Sequence, residues 1–140
     1  DPGNLGTLVR AGEGAGVSGI IMSENTVDIY NPKVIRSTMG SIFRVPFIYV
    51  KDLKEVIDKL NSKGISVYAS SLEGAMEYDK PDYKKDTAFI IGNEAAGISK
   101  EILDTTDKKI KIPMLGEVES LNAAVAGSIL MYEAVRQRRL

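Results

Sequence analysis

The 140 residues carry 18 Lys and Arg against 19 Asp and Glu, a net charge of −1, with 44% hydrophobic residues; this balance suits one soluble globular domain and not a broad basic nucleic-acid surface. Neither Cys nor His occurs, which excludes disulfides, thiolate nucleophiles, Ser-His-Asp and Cys-His catalysis, an imidazole base and ordinary zinc sites. No apolar run approaches membrane-spanning length, no signal peptide is evident, and the absence of Cys is compatible with a reducing cytoplasm.

The chain opens on loop chemistry, Asp1-Pro2-Gly3-Asn4. Residues 5 to 13 are predicted helical, with Leu5, Leu8 and Val9 on one side and glycines at 12, 14 and 16 loosening and ending the helix. Gly19 to Met22 reads as a buried strand. Asn31-Pro32 opens a short helix that stops near Gly40. Phe47 to Val50 is the next strand. Asp52 is placed as a helix cap, Glu55 closes a capping box, and Leu53, Val56, Ile57 and Leu60 keep helical spacing up to Gly64.

Ile65 to Ala69 is a third strand. Residues 71 to 86 read as a long polar loop with one turn of helix at most. Ala88 to Ile91 is a fourth strand, and Ser99 caps a short helix through Leu103. A last strand, Ile110 to Ile112, runs into Pro113. A final helix is predicted from an N-cap at Ser120 to about Arg138, with Leu121, Val125, Ile129 and Tyr132 on one face and Ala123, Gly127, Leu130 and Ala134 on another. A helix apolar on two sides is expected to be buried on two sides. Strands that alternate with helices and read as continuous apolar runs predict an α/β fold, a mostly parallel sheet with helices on both faces, in a single domain over 1–140.

In such sheets, sites gather where strands end. Three of these loops are unusual: after Ala69, at Gly92 to Gly97, and at Pro113 to Ser120. Each motif also has an ordinary reading. Asn4 and Arg10 suit a helix cap and a surface cation. Gly12 to Gly16 imitates a phosphate loop but has no strand before it. Gly92-Asn93-Glu94 followed by Gly97 suits a tight strand-to-helix turn. Ser120 and Asn122 suit caps. Lys33, Arg36 and Arg44 suit a solvated face or phosphate contacts, and Arg136, Arg138 and Arg139 suit the negative end of a helix.

Taken together the segments are more specific. Asn4-x-Gly6-x-x-x-Arg10, Gly92-Asn93-Glu94-x-x-Gly97-Ile98-Ser99 and Ile112-Pro113-Met114-x-Gly116-x-Val118-x-Ser120-Leu121-Asn122-x-x-x-Ala126 resemble the three motifs of the SpoU (TrmH-like) RNA ribose 2′-O-methyltransferases. The stretch Asn31-Pro32-Lys33-x-x-Arg36-x-x-x-Gly40-x-x-Phe43-Arg44 is similar to that family as well.

The resemblance implies a C-terminal trefoil knot, S-adenosylmethionine as methyl donor, an RNA substrate (rRNA more than tRNA), a cytoplasmic enzyme, and a homodimer packed through the first and last helices. It implies no metal and no membrane. Matched by motif, Gly92, Ile112 and Leu121, with Ala69 and Met114, are the expected cofactor positions. Asn4, Arg10, Glu94, Ser120 and Asn122 are the expected catalytic positions. The expected domain is the catalytic one, without the first strand and N-terminal RNA-binding domain that many members carry. A competing expectation is a catalytically silent RNA-binding or dimerisation module. An unrelated nucleotide-binding α/β protein is disfavoured by the lack of a proper phosphate loop.

Overall fold

The computed structural model describes residues 1–73 and 75–140, and the chain forms two compact units, 1–52 and 53–140. Gly74, inside the loop expected over 71–86, lies outside the described residues. Among the described residues every pairing between strands is parallel, as the apolar runs predicted.

In the first unit, helix α1 spans Pro2–Ala15, strand β1 Ile20–Ser23, helix α2 Pro32–Thr38 and strand β2 Phe47–Val50, with a 3-10 turn at Ser41–Phe43 between the last two. Asp1, not Asn4, caps α1: its Oδ1 accepts the Gly3 N–H at 2.7 Å, which places Asn4 inside the first turn. The helix runs through Gly12 and Gly14 and stops at Gly16, whose φ of 75° supplies the left-handed turn that ends it. Gly6 sets the approach of α1 to α2. A β-carbon there would stand 2.2 Å from Ser37 Cβ and 2.6 Å from the Val34 carbonyl oxygen. Leu5, Val9, Met22, Ile29, Val34 and Ile42 form the core. Tyr49 reaches from β2 to receive the Ile29 N–H and donate to the Val27 carbonyl, both at 2.8 Å.

Asn31 caps α2, accepting the Lys33 N–H at 2.9 Å. The helix ends at Met39, which holds φ 51° and ψ 40°. A left-handed conformation at a non-glycine residue costs about 1–2 kcal/mol. Buried Thr38, Ser41 and Ile42 hold the following turn, with Ser41 Oγ donating to the Thr38 carbonyl at 2.6 Å.

The second unit contains helix α3 (Leu53–Ser62), strands β3 (Ser66–Ser70), β4 (Met76–Glu77) and β5 (Thr87–Ile90), helix α4 (Lys100–Thr105), strand β6 (Lys108–Lys111) and helix α5 (Ala123–Arg138). The sheet order is β4-β6-β3-β5. Glu55 and Lys59 pair one turn apart on α3 at 3.9 Å, and Ser99 caps α4 by accepting the Ile102 N–H at 3.3 Å.

Two expectations change here. No turn of helix forms among the described residues of 71–86. The segment contributes β4 and then buries Tyr83 completely against Tyr68, Phe89, Ile110 and Leu130. The final helix is not buried on both apolar sides of a single chain. Gly127, Leu130 and Ala134 are covered, while Val125 and Tyr132 stay 47% and 49% exposed.

The C-terminal end of α5 is fastened to that loop. Gln137 accepts the Tyr83 N–H at 2.7 Å and donates to the Pro81 carbonyl at 3.1 Å. Arg138 donates to the carbonyls of Tyr83 and Lys85 at 2.9 and 3.0 Å. Tyr83 donates its hydroxyl proton to the Tyr78 carbonyl, and burial, with Tyr68 and Glu133 near, pushes that hydroxyl above the ordinary phenol range. Arg136 grips the buried Glu133 carboxylate through Nε and Nη2 at 2.9 and 2.8 Å. Specific partners, beyond the helix dipole alone, thus account for Arg136 and Arg138.

Candidate active site

Because β3, β5 and β6 are parallel neighbours, their carboxyl ends lie at one edge of the sheet, and the three loops singled out in the sequence meet there. They enclose a cleft of about 610 Å³, a size typical of small-molecule sites. Ser70 ends β3 and Ser71 to Glu73 follow it, Ile91 to Glu94 and Ala96 to Ile98 follow β5, and Lys111 ends β6, with Ile112 and Met114 after it. Leu103 of α4, with Ser120 to Asn122 ahead of α5 and Ala123 and Ala126 in its first turn, completes the lining. Ile91 and Ile112 also pack on the Tyr83 core, so the floor of the cleft is the outer layer of that core.

The loop after β5 is held by its own backbone. Asn93 and Gly97 exchange N–H···O bonds at 3.2 and 2.7 Å, and Asn93 Oδ1 accepts the N–H groups of Ala95 and Ala96. Gly97 takes φ +67°. A β-carbon on Gly92 would stand 2.5 Å from the Gly97 carbonyl carbon and 2.6 Å from the Ile98 nitrogen. Only glycine lets these two backbone segments close over each other.

The start of α5 departs from expectation. Asn122 is the cap, with φ −51° and ψ 139°, its Oδ1 accepting the N–H groups of Ala124 at 2.8 Å and Val125 at 3.2 Å. Ser120 lies two residues ahead of the cap, exposed on the cleft wall. Both residue types make good caps. The chain turns into helical geometry only after Asn122.

Of the residues expected from sequence, Gly92, Glu94, Ile112, Met114, Ser120, Leu121 and Asn122 therefore share one cleft. Ala69 is not among its lining residues. It is fully buried in β3, one residue before Ser70, which does line the cleft. Asn4 and Arg10 belong to the first unit, Asn4 partly buried and Arg10 exposed on α1. Leu72, Glu73 and Lys111 were not foreseen as cleft residues; their position at strand ends was the available signal. The lining offers aliphatic walls, two carboxylates and one ammonium, which suits a ligand with an apolar ring and charged ends. No group of three or more potential metal ligands exists among the described residues.

Solved structures share this architecture. An AdoMet-bound rRNA methyltransferase from Sinorhizobium meliloti superposes with a TM-score of 0.91 at 38% identity, over 97% of this chain and 52% of that one. The SpoU methyltransferase AviRb from Streptomyces viridochromogenes, in complex with AdoMet, gives 0.91 at 35% identity, over 99% and 54%. The fold is that of the SpoU methyltransferases. Over 132 residues the chain is 38% identical to the 23S rRNA (guanosine(2553)-2′-O)-methyltransferase RlmP of Bacillus subtilis, covering 94% of this chain and 53% of that protein. The model of the SpoU rRNA Methylase family matches residues 1–132, and the chain belongs to that family. It spans about half the length of the relatives it matches.

Proposed function

We propose that this chain is the catalytic part of an S-adenosylmethionine-dependent RNA ribose 2′-O-methyltransferase, with rRNA favoured over tRNA as substrate. The observation that carries the reading is the convergence of the second and third motifs on one cleft whose closure requires glycine at position 92. The donor set fits the cofactor: aliphatic walls at Ile91, Ile112 and Leu121 for a purine, carboxylates at Glu73 and Glu94 for cationic groups, and a backbone lip at Gly92. When bound, the sulfonium supplies a methyl group already activated for in-line transfer to a hydroxyl.

In this reading Gly92, Ile112, Met114 and Leu121 hold the cofactor, with Ala69, buried in β3 next to the lining Ser70, as a further position of the same pocket. Glu94, Ser120 and Asn122 present polar groups to the reacting ribose, with Asn122 also capping α5. Asn4 and Arg10 are assigned the remaining polar roles. Guanidinium has no free lone pair and stays charged, so Arg10 acts as a clamp on developing alkoxide or on a phosphate rather than as the base. An Arg10→Lys variant with an unchanged maximal rate, and only a shifted alkaline limb in its pH–rate profile, contradicts the clamp.

The trefoil knot, a homodimer through α1 and α5, a cytoplasmic setting and a single catalytic domain over 1–140 belong to the same proposal. The exposed Val125 and Tyr132 face of α5 supports the dimer. Methyl transfer to an RNA mixture, followed by mapping of ribose methylation, tests the whole. The reading expects a 2′-O-methylated nucleotide in rRNA. Cofactor binding without transfer to any RNA identifies a silent module instead.

A further inference from the structure

We infer that α2 and the turn after it form a seat for single-stranded RNA, with backbone phosphates on Lys33 and Arg36 and a base stacked on Phe43. The choice of RNA as occupant rests on the methyltransferase reading; the seat itself rests on geometry. Phe43 is 87% exposed, yet the turn that presents it is fixed from beneath by Thr38, Ser41 and Ile42, all buried. Met39, one turn earlier, is 68% exposed and takes the chain's one non-glycine positive φ among the described residues. A strained, anchored turn that holds a ring in solvent is a preorganised surface rather than a packing error.

The surroundings favour nucleic acid over protein. Lys33 and Arg36, one helical turn apart, line an open groove of about 460 Å³ with Asp1, Gly3 and Ser37. Asp1 commits its Oδ1 to the Gly3 N–H. On the other side of Gly40, Arg44 bonds Glu13 through Nε at 3.0 Å, and its Nη1 lies 3.7 Å from where a Gly40 β-carbon would be. An exposed aromatic ring on a segment that also carries Lys33, Arg36 and Arg44 matches the recurrent mode for unpaired strands, stacking plus phosphate contacts. Protein interfaces place aromatic residues in buried patches depleted of Lys. Arg10 lies one turn from Glu13 on the same face of α1, so a strand on Phe43 runs beside the side chain assigned as the clamp.

The test is fluorescence anisotropy with a labelled oligouridylate of about 12 nucleotides and an abasic ribose-phosphate oligomer of equal length. The full chain is compared with Phe43→Ala, Phe43→Trp and the double variant Lys33→Gln/Arg36→Gln, with S-adenosylmethionine titrated into each. Phe43→Ala is expected to weaken oligouridylate binding by about 5- to 100-fold while abasic binding stays unchanged, and Phe43→Trp to keep wild-type affinity. The double variant should weaken both oligomers and lower the log–log salt slope by about 1.4. No oligouridylate binding by the wild type, unchanged binding by Phe43→Ala, or loss only of self-association in that variant overturns the seat, the last because a second copy then occupies it. Phe43-dependent binding in a protein that transfers no methyl group keeps the seat and sinks the methyltransferase reading.

Discussion

The two ends of α5 use polar side chains in opposite ways. At the C-terminal end, Glu133 and Gln137 are buried and bonded to Arg136, Tyr83 N–H and the Pro81 carbonyl, while Arg138 ties down two loop carbonyls. At the N-terminal end, Ser120 and Asn122 sit exposed on a cleft that Glu94 also lines. Buried polar groups that are all satisfied hold a fold in one arrangement. Exposed ones that converge from separate loops hold it less and stand where a ligand can reach them. Damage at the two ends should therefore separate into lost stability and lost function.

The strongest break is expected at Gly92. Gly92→Ala forces the 92 and 97–98 backbones apart, and displacement of a binding loop by about 1 Å costs on the order of 100-fold. Calorimetry should find S-adenosylmethionine affinity reduced by that order, with circular dichroism near wild type. Next comes the opposite end. Gln137→Ala strips partners from Tyr83 N–H and the Pro81 carbonyl and should cost about 1–3 kcal/mol in urea unfolding, with cofactor affinity retained. Asn122→Ala should lose about 1 kcal/mol as a lost cap, whereas Ser120→Ala should stay within about 0.5 kcal/mol. Both are expected to slow methyl transfer, so only Asn122 registers on both scales.

The smallest effect is in pH dependence. Hydrogen bonding from Arg136, then from Gln137, holds the Glu133 carboxyl below its ordinary value despite the opposing effect of burial. A lowered folded pKa means stability that is present above the ordinary glutamate range and lost as pH falls through the folded value. Glu133→Gln should flatten that acid limb of the stability curve, and an unaltered limb would place the titration elsewhere.

Local signals made part of this legible. Strand β2 is where its apolar run places it, and Asn31-Pro32 and Ser99 start helices as their chemistry dictates. Tyr83 was not legible. Its neighbours Asp79, Lys80, Asp82, Lys84 and Lys85 give the segment a solvent-loop composition, and its partner Gln137 lies 54 positions away. The choice between Ser120 and Asn122 as cap was equally hidden, because both side chains accept the same N–H groups and only the backbone dihedrals decide. That the second and third motifs meet in one cleft was readable from motif order, since parallel strands bring their loop ends together. Ala69 is buried one residue before the lining Ser70, the distance over which a strand switches faces.

The central claim is that the cleft at Gly92, Ile112 and Leu121 is a methyl-donor site. The direct measurement is calorimetric titration of S-adenosylmethionine into the 140-residue chain, with Gly92→Ala and Gln137→Ala alongside. The account predicts saturable binding that Gly92→Ala weakens on the order of 100-fold and Gln137→Ala preserves. Absence of binding, or binding indifferent to Gly92→Ala, contradicts it.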